Sequence, residues 1–350
     1  MHLQNLSLLL LAGIFIAGGI AIWFAGIQLS QATSKLSKHF ELGSALGGMI
    51  ILAIVTNLPE IAIVISASLQ NKTEIAVGNI LGGIGVQTVV LVVLDVFGTN
   101  KNTSLTYASA SLARALEGLL VITVLTIVVL GHQLPSSLVF ARVTPGGLLI
   151  LAAWVIGLLL ISKAGKGLPW KPKDNSSAES NDNDDKNDNA EKKNKQSTGK
   201  TMVIFLVAAL ATLVGGVALE RSGDAISKDI GMQGILFGAT IMAAATSLPE
   251  VSTGLASMKM KKPDMAVSDI FGGNAFLPVL FLFATIFSGK AVIPVAKNTD
   301  IYLTALAMLL TSVYIWGIIF RPKLKILSMG IDSFIVLVLY AAGVTGLFVI

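Results

Sequence analysis

Ten runs of apolar residues, at about 6–28, 44–68, 74–97, 112–131, 145–162, 201–219, 232–257, 264–288, 301–320 and 327–349, alternate with short polar stretches. Each is long enough to cross a hydrocarbon layer of about 30 Å. Backbone polar groups in lipid must be satisfied within the segment, so each run predicts a helix. The one long polar stretch, 163–200, is rich in Asn, Asp, Lys and Ser and has almost nothing to bury. It predicts a disordered linker. The linker leaves five helices on each side, in units spanning 1–162 and 201–350. An odd number per unit turns the second unit over relative to the first. The expected fold is therefore an all-α integral membrane protein of ten transmembrane helices in two inverted five-helix repeats, with a substrate site where they meet near the midplane.

Composition agrees: 54% of the 350 residues are hydrophobic and 13% charged. The formal charge of +5 reads as loop lysines beside a lipid bilayer, not as a nucleic-acid surface. With the N-terminus outside, nineteen Lys and Arg fall in inside segments and six in outside segments; without the linker the split is ten to six. That bias favours an outside N-terminus and a cytoplasmic linker. The run beginning at Leu6 has no basic residue before it and no clear cleavage site, so it reads as the first span rather than a signal peptide. The chain has no cysteine, which excludes disulfides and thiolate metal sites. His2, His39 and His132 lie at or beyond the ends of apolar runs, which argues against a histidine metal centre.

Within the second and seventh runs one motif appears twice. Residues 53–60 read AIVTNLPE and 243–250 read AAATSLPE, 190 positions apart. The register holds without a gap to GNILGG (78–83) and SDIFGG (268–273). A carboxylate in hydrocarbon is costly and marks a functional position by default. Pro59 and Pro249 remove a backbone donor, freeing the carbonyls of Val55 and Ala245. Thr56 and Thr246 lie four residues before Glu60 and Glu250, on nearly the same helix face. Carboxylates, hydroxyls and freed carbonyls suit hard cations such as Ca²⁺ and Na⁺. One Ca²⁺ or two Na⁺ would neutralise the pair, and competition for that charge is a simple basis for exchange. A proline kink alone would not explain a buried acid in both copies.

The small residues Gly78, Gly82, Gly83, Gly272 and Gly273 predict close packing of the following helices. That packing would bring Asn79, Gln87, Asp269 and Asn274 near the glutamates. Asp269 lies about one turn into its run, as a vestibule, packing or ligand residue. In the linker, Asp182, Asp184, Asp185 and Asp188 do not make a Ca²⁺ loop. Lys186 takes a ligand position, and Asn187 and Lys193 stand where glycine and the bidentate glutamate belong. No nucleotide-binding, nucleophile-elbow or metalloprotease motif occurs, so the chain reads as a secondary transporter without a cofactor rather than an enzyme.

Duplicated T-x-L-P-E helices followed by glycine-rich helices resemble the cation/Ca²⁺ antiporter superfamily, and within it prokaryotic sodium/calcium exchangers. The resemblance covers nearly all of the chain outside the linker. It implies clustered cation sites, alternating access by sliding of the first and sixth helices, and a bacterial cytoplasmic membrane. It also implies that Glu60, Glu250, Thr56, Thr246, Asn57, Ser247 and Gln87, with the carbonyls of Ala53 and Ala243, bind the transported Ca²⁺ and Na⁺. The chain departs from the pattern where a G-S-N sequence reads Gly82-Gly83-Ile84 and Gly272-Gly273-Asn274. It departs again where an Asn or Asp reads Gln87 and Leu277. Both serine hydroxyls are lost. The alternatives are cation/H⁺ exchange and a non-transporting membrane protein on an exchanger scaffold.

Overall fold

The computed structural model describes residues 6–39, 51–99, 103–165, 198–229 and 243–347. The linker lies outside the described residues except at its two ends, where 163–165 and 198–200 are helical rather than disordered. The elements are α1 (Leu8–His39), α2 (Ala53–Thr56), α3 (Leu58–Leu69), α4 (Thr73–Gly98), α5 (Leu105–Ala108), α6 (Leu112–His132), α7 (Pro145–Gly165) and α8 (Thr198–Asp229). They continue with α9 (Ala243–Thr246), α10 (Leu248–Lys259), α11 (Pro263–Phe276), α12 (Leu280–Ser288), α13 (Asn298–Phe320), β1 (Lys325–Ile326), β2 (Met329–Gly330) and α14 (Ile331–Gly346). Among the described residues, seven helical spans are long and apolar enough to cross a membrane, and α3 and α14 are shorter apolar helices.

Four departures from the expected helices have local causes. The run 6–28 extends to His39, because residues 28–38 contain neither glycine nor proline to end it. The second and seventh runs are each broken rather than kinked. Asn57 (φ −86°, ψ 13°) separates α2 from α3, and Ser247 (φ −84°, ψ 2°) separates α9 from α10. Each proline then sits in the first turn of the new helix, where a missing N–H costs nothing. The run 264–288 is one rod from Pro263 to Ser288, tightened to a 3₁₀ turn at Leu277–Val279 around Pro278. The last run opens inside an antiparallel hairpin, β1–β2, and turns helical only at Ile331, so the fold is not purely helical. Its turn residues, Leu327 and Ser328, adopt φ of 50° and 70°.

The packing is reciprocal. α1 lies on α8 and also on α10, while α8 lies on α3. α3 packs on α4 as α10 packs on α11; α6 packs on α11 as α13 packs on α4. Each partnership becomes another on this list when residues 190 apart are exchanged. The closest approaches obey the same rule. A Cβ on Gly216 of α8 would overlap Pro59 Cβ and Cγ. One on Gly26 of α1 would overlap Ser252 Oγ and stand 3.2 Å from the Pro249 carbonyl oxygen. Glycine at both places lets α1 and α8 lie against the broken helices.

Polar ties gather at two ends of the bundle. At one end Lys262 donates to Ser34, Lys325 to the Thr103 carbonyl and Arg321 to the Ala110 carbonyl. There Asp95 accepts from Leu105 N, Gly330 N and Ser333 Oγ at 2.7–2.8 Å. At the other, Lys297 pairs with Glu74 at 2.7 Å and Arg142 donates to the Ile286 carbonyl. Between them, Leu9, Phe24, Leu159, Val207, Leu210 and Trp316 are exposed, an apolar girdle suited to lipid.

Candidate functional site

The breaks at Asn57 and Ser247 decide where the glutamates stand. Glu60 lies in the first turn of α3 and Glu250 in the first turn of α10. Unpaired N–H groups at a helix start favour negative charge there. Both side chains are almost wholly buried, at 2% and 1% exposure.

Around them are neutral oxygens and amides. Gln87 Nε2, from α4, donates to Glu250 Oε1 at 3.3 Å and to Asn57 Oδ1 at 3.1 Å. Asn57 Nδ2 donates to the Ala53 carbonyl at 2.7 Å. Thr56, expected on the Glu60 face of a continuous helix, is turned by the break. Its hydroxyl lies 3.1 Å from the Leu52 carbonyl, 3.2 Å from that of Ala53 and 3.1 Å from Asp269 Oδ1. Thr253 Oγ1 donates to the other oxygen of Asp269. Asp269 thus joins the two copies, with one threonine from each. Asn274 Nδ2 donates to Thr88 Oγ1 at 3.0 Å, and Asn79 Nδ2 lies 3.5 Å from the Glu60 carbonyl. Thr246 and Ser247 are buried beside Glu250, at the repeat positions of Thr56 and Asn57. The Ala243 carbonyl belongs to α9.

Four buried oxygens of this constellation have no hydrogen-bond partner among the described residues: Glu60 Oε2, Glu250 Oε2, Gln87 Oε1 and Asn274 Oδ1. All are acceptors, and each comes from a different helix. A buried acceptor without a donor is costly, and a buried carboxylate more so. Cations satisfy such a set without further donors. Among the described residues no three His, Cys, Asp or Glu converge as a metal site. The cluster pairs carboxylates with amides and hydroxyls instead, as suits a passing hard cation.

Of the nine expected ligands, Glu250, Asn57, Gln87 and the Ala53 carbonyl are drawn together by the hydrogen bonds above, and Glu60 follows Asn57 by three residues in the first turn of α3. The Ala53 carbonyl is already occupied by the Asn57 side chain. Sequence reasoning assigned no role to Thr88 or Thr253. Thr253 falls one turn after Glu250, a spacing that could have suggested it. A second buried polar group lies apart from the cluster. Arg114 Nη1 pairs with Glu117 at 2.6 Å, and Ser268 Oγ lies 3.0 Å from both Glu117 oxygens. Arg114 is therefore part of the α6–α11 contact rather than a loop charge.

A family model described as sodium/calcium exchanger protein matches residues 10–163 and 200–349. The chain belongs to this family. It is a multi-pass membrane protein and a cation/Ca²⁺ antiporter, a secondary transporter rather than an enzyme. It is 28% identical to the putative antiporter CaxA of Alkalimonas amylolytica, over 87% of this chain and 90% of that protein. It is 27% identical to the inner membrane protein YrbG of Escherichia coli (strain K12), over 88% and 90%. A 78-residue stretch is 35% identical to human sodium/potassium/calcium exchanger 1. The fold matches the sodium-calcium exchanger NCX_Mj soaked with 2.5 mM Na⁺ and 10 mM Sr²⁺. The TM-score is 0.65 at 18% identity, over 97% of this chain and 99% of that one.

Proposed function

We propose that this exchanger moves Ca²⁺ against Na⁺ across a bacterial cytoplasmic membrane by alternating access. Ten helices in two inverted repeats, 1–162 and 201–350, would enclose one site. The N-terminus would lie outside and the 163–200 linker inside. Two buried glutamates, each with an oxygen that meets no donor among the described residues, carry the reading. Glu60 and Glu250 would be ligands shared by Ca²⁺ and Na⁺. Thr56, Thr246, Asn57, Ser247, Gln87 and the carbonyls of Ala53 and Ala243 would complete the shell. The breaks at Asn57 and Ser247 point the helix starts toward the cations' counter-charge, and α1 and α8 would slide across them on Gly26 and Gly216. Uptake of Ca²⁺ into proteoliposomes under an outward Na⁺ gradient tests this, with Glu60→Gln and Glu250→Gln as controls. Normal transport by either variant would refute the assignment.

Proton coupling is a second reading, favoured by Leu277. It is fully buried and apolar at the repeat position of Gln87, which leaves one polar ligand fewer for Na⁺. Protons need no coordination shell. Replacing the Na⁺ gradient by a pH gradient separates the two readings.

A further inference from the structure

Away from the glutamates, a second pair of buried carboxylates stands at the end of the bundle where Arg321 and Lys325 are tied. Asp95 lies near the end of α4 and Asp332 in the first turn of α14, at 0% and 3% exposure. Glycines let them converge. A Cβ on Gly330 would overlap Asp332 Oδ1 and stand 2.8 Å from Ser104 Cβ and 3.2 Å from Asp95 Oδ2, so three side chains meet at one point. A Cβ on Gly317 of α13 would overlap Asp332 Oδ2.

The two acids are served very differently. Asp95 accepts from Leu105 N, Gly330 N and Ser333 Oγ, with Thr99 Oγ1 at 3.4 Å. Both oxygens of Asp332 are buried and have no hydrogen-bond partner among the described residues. The Thr106 hydroxyl and the Ser333 N–H stand beside Asp332 without reaching hydrogen-bond geometry. Neither acid forms an ion pair among the described residues, and Lys325 Nζ donates to the Thr103 carbonyl at 2.9 Å.

A buried carboxylate without donor or counter-charge is strongly disfavoured, and a second carboxylate beside it adds to the cost. The oxygens at hand are those of Asp332 and the hydroxyls of Ser104 and Thr106, which lie 3.3 Å from each other. Carboxylate and hydroxyl oxygens suit a hard cation. Thr99, which touches Asp95, and Thr103, which precedes Ser104, also line an open cavity of about 750 Å³ beside α1 and α10. That cavity supplies an approach from water.

We propose that Asp332, with the hydroxyls of Ser104 and Thr106 and the charge of Asp95 behind them, binds one hard metal cation at a site separate from that of the transported ions. The bound cation would fasten α4, α13, β2 and α14 together at this end of the bundle and leave the glutamates free to exchange.

The test uses the full-length protein with Glu60→Gln and Glu250→Gln, which removes the glutamate charges. Its melting temperature in detergent is followed as N-methyl-D-glucamine chloride is replaced by NaCl, KCl or CaCl₂ at constant ionic strength. At least one metal should raise the melting temperature saturably. Adding Asp332→Asn should increase the half-saturating concentration at least tenfold. With N-methyl-D-glucamine alone, Asp332→Asn should melt no lower than its parent, because it removes an unmatched charge; a merely structural role would make it melt lower. Absence of any metal-dependent shift overturns the proposal, as when a side chain outside the described residues already supplies the counter-charge. A shift that survives Asp332→Asn overturns it too. A melting temperature that follows pH but no metal assigns a proton to the pair and overturns the metal site. If the double glutamine protein does not fold, the same titrations compare the parental chain with Asp332→Asn alone, Ca²⁺ uptake showing that both are folded. Equal shifts in the two would then overturn the site.

Discussion

Gly216→Ala tests whether α8 bears on the broken helix that carries Glu60. The added Cβ would overlap Pro59 Cβ and Cγ and stand 3.4 Å from its Cα. Carbon atoms rest about 3.5–4.0 Å apart, so α8 would have to withdraw by about 1 Å. The proline ring has no rotamer to escape into. Overpacking of this kind costs about 1–3 kcal/mol. That cost applies only to conformations in which Gly216 faces Pro59. If α8 slides during transport, the conformation described here loses population by a factor of about 5–150 relative to those in which the contact is broken. The expected result is a fall in initial Ca²⁺ uptake of about tenfold or more in proteoliposomes, with reconstitution yield unchanged. Gly13→Ala is the control, because no atom of the described residues lies within 4 Å of a Cβ there. Parental uptake and melting temperature in Gly216→Ala would show that α8 does not press on Pro59, and the sliding contact would be refuted.

The repeat-related variant Gly26→Ala should be partly rescued by Ser252→Gly, which removes the overlapping hydroxyl and leaves only the 3.2 Å approach to the Pro249 carbonyl; uptake by the double variant checks this. Asp269→Asn replaces a carboxylate that accepts from Thr56 and Thr253. Bonds to a charged group are worth about 1.5–3 kcal/mol, so Ca²⁺ affinity measured by calorimetry should fall at least tenfold. Arg114→Met leaves Glu117 buried and unpaired and should cost about 3–5 kcal/mol, seen as a lower melting temperature. Arg114→Met with Glu117→Leu should recover most of the loss. Asp95→Ala strands the donors of Leu105, Gly330 and Ser333. It should lower the melting temperature while leaving the Ca²⁺ affinity of folded protein within about twofold, since none of these groups touches the glutamates.

Apolar runs were enough to read a mostly helical, membrane-spanning fold, and the 190-residue register was enough to single out the two buried glutamates. Burial of carboxylate beside proline is rare in lipid, so two examples in one frame carry a strong signal. The breaks at Asn57 and Ser247 were not legible. Proline tells that a helix is disturbed nearby but not whether it kinks or restarts, and the restart turns Thr56 toward Asp269. The role of Gly273 was equally hidden. Glycine in a membrane helix reads as packing, and only the Asn57 amide beside it shows what is packed. Pairing of Arg114 with Glu117 could have been read from their spacing of three, but Arg114 looked like an end-of-helix charge. The β1–β2 hairpin depends on left-handed residues at Leu327 and Ser328, types that give no sign of a turn.

The Arg114–Glu117 pair also bears on how the chain is made. Both charges belong to α6, one turn apart, so each meets its partner as soon as that helix has formed. Ser268 reaches Glu117 only after 151 further residues have been synthesised. The nascent helix therefore enters the bilayer with its charges already matched. Glu60 enters with no basic residue nearby on α3 and must wait 190 residues for Glu250 and the rest of its surroundings. The most exposed moment in biogenesis falls between those two events, when an unmatched carboxylate sits in half a protein. Protonation or a captured cation would shield it there, so the ion this protein transports can also serve as its first folding partner.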